Sequence, residues 1–455
     1  MIAARLIDIA PPLAARLVGA DAGFHGVGTD TRTLAAGMLF VALRGEHHDG
    51  HDHVGAAAER GAAAVVVERE LDTPLPQLVV LDAQLALGEL ARWQRAHLAA
   101  TVVALTGSNG KTTVKSLAAA ILARVGSTHV TEGNLNNEIG LPLTVLRAPA
   151  DARFLVLEMG AGKPGDIAYL VRIGQPHVAL VNNVAPAHLE RLGSLDGVAE
   201  AKGAIYDGLP PGGTAVVNAD DAYAERFVRR IGARRVLRFG LERPADVAAR
   251  AVQLGAGVQF TLVTPAGEAE VALPLAGRHN VRNALAAAAL AFAAGAPLAD
   301  IAAGLRAAHG VGGRLTRLEV AGAGVVIDDS YNANPGSVHA AIDTLALERG
   351  ERWLVLGNMA ELGTEAARLH AEVGAHARAA GIERLYTVGA LAREAARAFG
   401  AEAQAFDAQE PAIAALRRDF RAGVVALVKG SRSSAMERVV VALAGAAAGG
   451  HSHAA

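Results

Sequence analysis

The segment 106–113, TGSNGKTT, has the residue types of a loop that binds phosphate. It follows an apolar, strand-like run and precedes a helical pattern that we expect to begin near Thr112. Gly107 and Gly110 allow the backbone to curl so that its N–H groups face an anion, and a helix N-terminus adds partial positive charge. Lys111 is placed to reach the β- and γ-phosphates, and the Thr112 hydroxyl to hold Mg²⁺. The segment therefore predicts an ATP-type nucleotide site.

This loop is a short variant of the common phosphate-binding pattern, which has another glycine five residues before Gly110. Leu105 occupies that position here. Ser108, Asn109 and Thr113 complete the set of candidate nucleotide contacts. A chance glycine turn is the alternative, but GKT between a strand and a helix argues against it.

Polar residues or glycines also follow the other apolar runs, at Glu158, Asn182, Asn183, Asp328, Asp329, Gly357, Asn358 and 429–431. Ligands bind beyond the carboxyl ends of strands in open α/β sheets. An ordinary polar turn explains any one of these positions, whereas the whole set favours one or more clefts. A Glu158 carboxylate facing the phosphate loop would offer the oxygen ligands that suit Mg²⁺, although a solvated strand end is the simpler alternative.

The elements that must position these residues follow an alternating pattern. Short β-branched runs alternate with long Ala-, Leu- and Arg-rich helical stretches, which predicts an α/β protein with parallel sheets. A helix over 92–99 leads into the phosphate-loop strand, and glycines punctuate 309–314. With 455 residues at about 150 per domain, we expect three domains: 1–98, 99–311 and 312–455.

Composition excludes several classes of protein. The formal charge is −2, which argues against a globally basic nucleic-acid binder. There is no Cys, so disulfides and thiolate chemistry are excluded. The longest apolar stretch, 284–299, is mostly alanine and is interrupted by Gly295 and Pro297, so we expect no membrane span. We expect a soluble cytoplasmic protein with a frayed, low-complexity tail after Ala444 that includes His451 and His453.

Several longer motifs together resemble the Mur ligases, the ATP-dependent amide-forming enzymes of peptidoglycan synthesis. The resemblance runs from about Thr29 to Glu437. The motifs are TDTR, GMLFVALRGEHHDGHDH, TGSNGKTT, GNLNNEIGLP, EMGAG, NNVAPAHLE, AKGAIY, GRHNVRNALAA, DDSYNANP, GNMAELG and VKGSR. Among them, GNLNNEIG, DDSYNANP and MAELG are specific to the member that adds D-alanyl-D-alanine to UDP-N-acetylmuramoyl-tripeptide (UDP-MurNAc-tripeptide).

The resemblance implies three domains: a small α/β N-terminal domain that binds the UDP substrate, a central P-loop ATPase-type parallel sheet, and a C-terminal dinucleotide-fold (Rossmann-like) domain. It implies an ATP- and Mg²⁺-dependent ligase that works through an acyl phosphate on two small-molecule substrates, UDP-MurNAc-tripeptide and D-alanyl-D-alanine. We expect a monomer. The third residue of the tripeptide, lysine or diaminopimelate, stays open.

The resemblance also implies a metal site beside the phosphate loop. Glu158 and His188 would hold a second Mg²⁺, and Lys202 would carry a carbamate that serves as an oxygen ligand. With Lys111 and Arg314 these form the predicted catalytic set. Taken alone, His188 is more often structural and Lys202 a surface lysine.

Other residues match the family's nucleotide and dipeptide contacts. Asn280 matches the adenine contact, with a helix N-cap as the alternative. Arg314 matches the phosphate contact made from the third domain, and Asp329 the ribose contact, with a strand-ending turn as the alternative. Tyr331, Asn332 and Asn334 match a segment near the incoming dipeptide, although an Asn-rich loop before Pro335 is also an ordinary turn.

In the first domain, the family match implies that uridine nucleotide contacts Thr31, Arg32, Asp49, Gly50 and His51. The His-rich run 46–53 also suggests a metal site, but it lacks the His spacing of a helical metal site.

Two C-terminal features complete the comparison. Asn358 stands where this member usually has Asp, which keeps an acceptor but removes a charge. Lys429, Ser431 and Arg432 follow a strand and either contact substrate or form a positively charged loop.

Two other functions remain open at this level. The first is a different ligase of the same superfamily, including a folylpolyglutamate synthetase-like enzyme, against which the TDTR and GMLFVALRG segments argue. The second is a nucleotide switch that hydrolyses ATP or GTP slowly, without any dependence on an amine substrate; no guanine-specifying N-K-x-D motif is present.

Overall fold

The structure is a computed structural model that describes residues 1–445. The predicted frayed tail, with His451 and His453, lies outside the described residues. Within the described part, no helix is long and apolar enough to cross a membrane.

The first part of the chain builds a small mixed sheet. Its elements are β1 (Ala3–Arg5), α1 (Leu6–Ile9), β2 (Arg16–Val18), β3 (Gly23–His25), β4 (Val27–Gly28), β5 (Leu39–Val41), a 3₁₀ helix (Gly50–His53), α2 (Val54–Glu59), β6 (Ala64–Val67), β7 (Gln77–Val79) and α3 (Ala83–Ala96). The strand order is β2-β7-β6-β5-β4, with β2 antiparallel to its neighbour, and β1 pairs separately with β3. All four residues of β6 are buried because the strand lies inside the sheet.

The middle part builds the sheet that carries the phosphate loop. Its elements are β8 (Thr101–Thr106), α4 (Lys111–Leu122), β9 (Thr128–Val130), α5 (Gly140–Arg147), β10 (Phe154–Glu158), α6 (Asp166–Gly174), β11 (Val178–Val181), α7 (Leu189–Leu192), α8 (Leu195–Gly203), a 3₁₀ helix (Ala204–Tyr206), β12 (Thr214–Asn218), α9 (Ala224–Ile231), β13 (Arg235–Phe239), β14 (Ala248–Leu254), β15 (Val258–Thr264), β16 (Gly267–Leu273), α10 (Arg278–Ala293) and α11 (Leu298–Arg306). The six strands β13-β12-β11-β8-β10-β9 are all parallel. Strands β10, β11 and β12 are buried along their whole length, as parallel strands covered on both faces must be.

Three further strands, β14, β15 and β16, form a separate antiparallel sheet that the sequence pattern did not predict. Burial alternates along β15, so one face of this sheet is covered and the other is partly open. Phe260 and Leu262 on the covered face belong to the same apolar cluster as α10.

The third part builds a second six-stranded sheet. Its elements are β17 (Thr316–Val320), β18 (Gly324–Asp329), α12 (Pro335–Leu345), β19 (Glu351–Gly357), a 3₁₀ helix (Gly363–Glu365), α13 (Ala366–Ala379), β20 (Arg384–Val388), α14 (Ala392–Phe399), β21 (Ala403–Phe406), α15 (Gln409–Asp419), β22 (Val424–Lys429), a 3₁₀ helix (Arg432–Ser434) and α16 (Glu437–Ala444). The order is β17-β18-β22-β19-β20-β21, and only β17 runs antiparallel to its neighbour.

The predicted α/β class and its apolar strands are confirmed. The helix predicted over 92–99 is the end of α3, which stops at Ala96. Each larger sheet falls inside one of the segments 1–98, 99–311 and 312–455, and the limits of those segments stay a prediction.

Packing differs between the junction of the first and middle parts and the junction of the middle and third parts. One apolar cluster runs from Ile2 to Ile231 and so joins the first and middle parts. At this junction the buried Arg95 of α3 donates to the carbonyls of Gly174 and Leu98 at 3.1 and 3.0 Å. Within residues 1–445, no apolar cluster joins the third part to the middle part. Polar contacts make that second junction, and a cleft lies along it.

Candidate active site

The phosphate loop leaves the carboxyl end of β8 and turns directly into α4. Gly110 is the residue before the helix, with φ 77°, and a Cβ there would lie 2.4 Å from Asn283 Oδ1. Glycine is therefore required both by the backbone and by the close neighbour. Lys111 begins the helix, and its Nζ donates to the Gly107 carbonyl at 2.8 Å. The predicted helix start near Thr112 is thus confirmed to within one residue.

Loop residues are also held by the end of the neighbouring strand β11. Asn183 Oδ1 accepts from the Asn109 backbone N–H at 2.8 Å, and Asn182 Nδ2 donates to the Asn109 carbonyl at 2.9 Å. Ser108 Oγ donates to the Ala185 carbonyl at 2.9 Å. The polar ends of two parallel strands therefore shape the loop, as expected for a cleft at a sheet edge.

Glu158 is the last residue of β10 and lies beside the loop, 2 % exposed. Thr112 Oγ1 donates to its Oε2 at 3.1 Å, and Asn136 Nδ2 donates to its Oε1 at 2.8 Å. Lys115 Nζ lies 3.4 Å from Oε2. Burial raises the pKa of Glu158, but the charges of Lys115 and Lys111 and the Asn136 hydrogen bond outweigh it, so the net pKa lies below its usual value. Glu158 is therefore a charged, buried carboxylate inside the site. The alternative interpretation, a solvated strand end, is wrong.

Sequence reasoning missed Lys115 and Asn136. Lys115 lies one helical turn after Lys111, so both ammonium groups lie on one face of α4, and that spacing could have found it. Asn136 lies within GNLNNEIG, where three asparagines in four residues gave no reason to choose one.

His188 meets a residue of the third part rather than Glu158. Its Nδ1 forms a short contact with Glu361 Oε2, and the two side chains are 32 % and 45 % exposed. Both residues have positive φ, 54° and 61°. Burial lowers the pKa of His188; Glu361 opposes this shift, whereas Lys202 and Lys111 add to it. Glu361 belongs to the MAELG motif, but no local pattern pairs it with His188.

Lys202 lies at the end of α8 and is 1 % exposed. No carboxylate among residues 1–445 lies within ion-pair distance of its ammonium group. Burial, with a smaller contribution from Lys111, lowers the pKa of Lys202 well below its usual value. The surface-lysine alternative is wrong.

Asn280 is the third residue of α10, whose N-cap is Gly277, so the N-cap alternative is wrong. Its Nδ2 donates to the Ala276 carbonyl at 2.8 Å, and its Oδ1 accepts from Asn283 at 3.0 Å. These bonds hold the amide at the cleft wall.

The third part reaches the phosphate loop through two side chains. Arg314 Nη2 donates to Thr112 Oγ1 at 3.0 Å, and the guanidinium lies 4.5 Å from the centre of the Tyr331 ring. Asn334 Nδ2 donates to Asn109 Oδ1 at 2.7 Å. The structure thus brings these residues from the two segments into one site.

Asp329 is the last residue of β18, directly before a turn at Ser330, and its carboxylate pairs with Lys429 Nζ at 2.6 Å. Burial raises the pKa of Asp329, and Lys429 opposes that shift. Lys429 Nζ also donates to the Asn332 carbonyl at 2.9 Å. Lys429 is buried inside the sheet edge and is not part of an exposed basic loop.

The substitution at Asn358 preserves a hydrogen bond. Asn358 Oδ1 accepts from the Ala392 backbone N–H at 2.9 Å, at the start of α14. Its backbone carbonyl accepts from the Ser431 N–H at 2.9 Å. A neutral acceptor is enough for this contact.

The cleft between the middle and third parts has a volume of about 1100 Å³. The predicted residues that line it are Ser108, Asn109, Gly110, Lys111, Thr112, Thr113, Glu158, His188, Asn280, Arg314, Asp329, Tyr331, Asn332 and Asn334. Gly107, which belongs to the loop, and Lys202, which is buried, do not line the cleft.

The first-domain candidates lie apart from this cleft. Asp49 Oδ1 accepts from the His51 backbone N–H at 3.0 Å and contacts its Nδ1, while His51 Nε2 accepts from the Glu68 N–H at 2.8 Å. Arg32 pairs with Asp30. Both nitrogens of His51 are thus engaged, and residues 1–445 contain no group of three His, Cys, Asp or Glu arranged for a metal. The structure does not support the His-rich metal alternative.

Comparison with known proteins covers most of the chain. Family profiles match at residues 23–95 (Mur ligase family, catalytic domain), 105–291 (Mur ligase middle domain) and 313–432 (Mur ligase, glutamate ligase domain). The chain is 47 % identical over 447 residues to the UDP-N-acetylmuramoyl-tripeptide–D-alanyl-D-alanine ligase of Escherichia coli K12, covering 97 % of this chain and 99 % of that relative.

Solved structures resemble the fold over nearly its full length. A crystal structure of MurF from Acinetobacter baumannii matches with a TM-score of 0.92 and 35 % identity, covering 96 % of this chain and 98 % of that one. The MurF ligase of Thermotoga maritima in complex with ADP matches with a TM-score of 0.83 and 29 % identity, covering 92 % and 97 %.

Proposed function

This chain belongs to the Mur ligase family, and we propose on that basis that it joins D-alanyl-D-alanine to UDP-MurNAc-tripeptide in an ATP-dependent reaction. The observation that carries the proposal is the contact of Arg314 and Asn334 with the phosphate loop. A nucleotide bound there lies between the middle part and the edge of the third sheet, where a second substrate can approach.

The reaction follows from the weakness of a carboxylate as an electrophile. ATP transfers its γ-phosphoryl group to the terminal carboxylate of the tripeptide and leaves as ADP. The neutral dipeptide amine then attacks the acyl carbon, the C–O bond to the phosphate breaks, and inorganic phosphate leaves together with the amine proton. Lys111 and Arg314 offset the negative charge that gathers as carboxylate and phosphate meet. No covalent enzyme nucleophile is required, which fits a chain without cysteine.

Thr112 would hold one Mg²⁺ in this site, and Glu158 and His188 would hold a second. The donor set fits, because a charged, buried carboxylate and a hydroxyl lie 3.1 Å apart beside the phosphate loop. When bound, these ions would supply further positive charge to the phosphate and the carboxylate. Lys115 and Asn136 keep Glu158 ionised and oriented toward Thr112.

Lys202 would carry a carbamate. Carbamate formation requires an uncharged amine, and burial without a carboxylate partner favours that form of Lys202. The modified side chain would add an oxygen ligand near His188.

The remaining assignments follow from the family match. Asn280 would contact adenine, Asp329 the ribose, and Tyr331, Asn332 and Asn334 the dipeptide. The uridine nucleotide would contact Thr31, Arg32, Asp49, Gly50 and His51. We also propose the domain limits 1–98, 99–311 and 312–455, a monomer, and action in the cytoplasm.

Isotope transfer tests the chemistry. UDP-MurNAc-tripeptide carrying ¹⁸O in its terminal carboxylate, with lysine or diaminopimelate as its third residue, is incubated with ATP, Mg²⁺ and D-alanyl-D-alanine. We expect one label to reach inorganic phosphate in each turnover, because one carboxylate oxygen leaves with the phosphate. Mass spectrometry of the phosphate measures it.

Amide product with unlabelled phosphate would refute the acyl phosphate. ATP hydrolysis without amide product, at a rate independent of the dipeptide, would instead support the nucleotide switch. Glutamate addition to a folate substrate would support the folate-type ligase.

A further inference from the structure

The loop after β19 brings a carboxylate to the cleft boundary. Glu361 lies in this loop and contacts His188 Nδ1 across the junction, and its backbone carbonyl accepts from the Glu190 N–H at 3.5 Å. His188 lines the same cleft as Lys111. The Glu361 carboxylate therefore contacts a residue of the cleft wall, next to the space where the acyl phosphate would form.

Sheet topology places this carboxylate beside the predicted dipeptide segment. Strands β18, β22 and β19 are adjacent and parallel, so their carboxyl ends meet at one edge of the sheet. Tyr331 and Asn332 follow the first of these strands, Lys429 ends the second, and Glu361 follows the third. A dipeptide approaching from the third part meets this edge.

The other carboxylates at this edge are already occupied. Asp329 is paired with Lys429 at 2.6 Å and is 12 % exposed. Asp328 Oδ1 accepts from the Ser330 backbone N–H and hydroxyl, at 3.0 and 2.6 Å. Glu361 is 45 % exposed, and among residues 1–445 its carboxylate contacts one side chain, His188. It is the most exposed of these three carboxylates.

The backbone angles of Glu361 and His188 support a functional role for the contact between them. Glu361 and His188 both have left-handed φ values, which non-glycine residues rarely adopt. Strained residues of this kind cluster at functional sites. Here two of them present their side chains to each other from opposite sides of the junction.

Building on the proposed ligase function, we propose that Glu361 binds the ammonium group of the incoming D-alanyl-D-alanine. The dipeptide arrives as a zwitterion, so its amine end needs an anion close to the acyl phosphate. Glu361 offers that anion from the third part and holds the amine near the acyl carbon. One ammonium proton passes to the Glu361 carboxylate before the amine attacks, and the second is lost to the released phosphate.

Steady-state kinetics of Glu361→Gln test this role. We expect the KM for D-alanyl-D-alanine to rise by about tenfold or more, because an ion-assisted hydrogen bond is lost. The KM values for ATP and the UDP-tripeptide should stay within about twofold of wild type. Glu361→Asp should recover part of the dipeptide affinity. Glu190→Gln, an exposed acid at the same junction, is the matched control.

A dipeptide analogue with a hydroxyl in place of the ammonium isolates the contact. As a competitive inhibitor, this analogue should bind wild type and Glu361→Gln equally, since it has no charge for Glu361 to recognise. Melting temperatures confirm that the variants are folded.

Three results for Glu361→Gln would overturn the proposal. The first is an unchanged KM for the dipeptide, and the second is an equal rise in the KM of all three substrates. The third is that the variant loses affinity for the hydroxyl analogue as much as it does for the dipeptide. The second would make Glu361 a contact that only holds the domains together. If wild type makes no dipeptide-dependent amide product, the ligase function itself fails, whatever the variant does.

Discussion

Lys111 and Lys115 occupy successive turns of one helix yet have different partners. Lys111 Nζ donates to the Gly107 carbonyl within the loop. Lys115 Nζ lies beside Glu158 and donates to the Gly133 carbonyl at 2.9 Å. Lys111 is therefore free to move onto a phosphate, whereas Lys115 is committed to keeping Glu158 charged. Neighbouring lysines thus have different roles because their partners differ.

Lys111→Ala should lower kcat by at least about 10²-fold, because a charge aimed at the transferred phosphate is removed. The melting temperature should change little, since the side chain contributes no apolar packing. Lys163→Ala, a lysine elsewhere in the cleft lining, is the matched control and should stay near wild type. Turnover within a few-fold of wild type for Lys111→Ala, at saturating ATP, would remove Lys111 from the phosphate site.

Lys202→Ala should be nearly inactive, and short carboxylic acids should restore part of its activity. A small acid can enter the space left by the side chain and stand in for the carbamate oxygen. Activity is measured against acid concentration, with Lys111→Ala as the variant that acids should not rescue. Full activity of Lys202→Ala would show that the buried lysine is not a ligand, and an inactive variant without rescue would argue against the carbamate.

At the scale of elements, the start of α12 combines a structural and a functional contact. Asn334 Oδ1 accepts from the Ser337 backbone N–H at 2.9 Å as the helix N-cap. Its Nδ2 donates to Asn109 Oδ1 at 2.7 Å, across the junction. One side chain therefore caps a helix of the third sheet and joins that helix to the phosphate loop.

Two substitutions at Asn334 should separate these contacts. Asn334→Ala loses both and should lower the free energy of unfolding by about 1 kcal/mol. Asn334→Asp keeps the capping acceptor but loses the donor and adds negative charge near the phosphates, so stability should hold while the KM for ATP rises. Denaturant unfolding and kinetics measure the two effects. Wild-type kinetics for Asn334→Asp would show that the bond to Asn109 contributes nothing.

At the scale of the whole molecule, the two junctions predict different mobility. A continuous apolar cluster fixes the first part to the middle part, whereas side-chain polar contacts hold the third part. Hydrogen bonds between the parts can be replaced by hydrogen bonds to water with a small net change in free energy. The third part is therefore the one that we expect to move. Closure would also exclude water from the acyl phosphate until the amine arrives.

Small-angle X-ray scattering should therefore show a smaller radius of gyration when a non-hydrolysable ATP analogue and UDP-MurNAc-tripeptide are both bound. Arg314→Ala should show less compaction, because it loses the contact with Thr112. Equal radii for the free and doubly bound wild type would contradict ligand-driven closure.

The sequence by itself determined the local features of this protein. The phosphate loop, the buried strands and the polar residue ending each strand follow from patterns only a few residues long. Glycine conformation, helix polarity and β-branched runs act over that same range, so they can be identified without the fold. Gly110, Lys111 and Glu158 are found where those patterns predicted.

Only the tertiary structure decided which of these residues meet. Glu361 and His188 lie 173 residues apart, and Arg314 and Thr112 lie 202 apart, so no local pattern pairs them. The roles of Lys115 and Lys202 likewise depend on burial, which is set by elements packed from elsewhere in the chain. Strand order and domain packing control these long-range contacts, because they determine which strand ends share an edge and which charges lose their water.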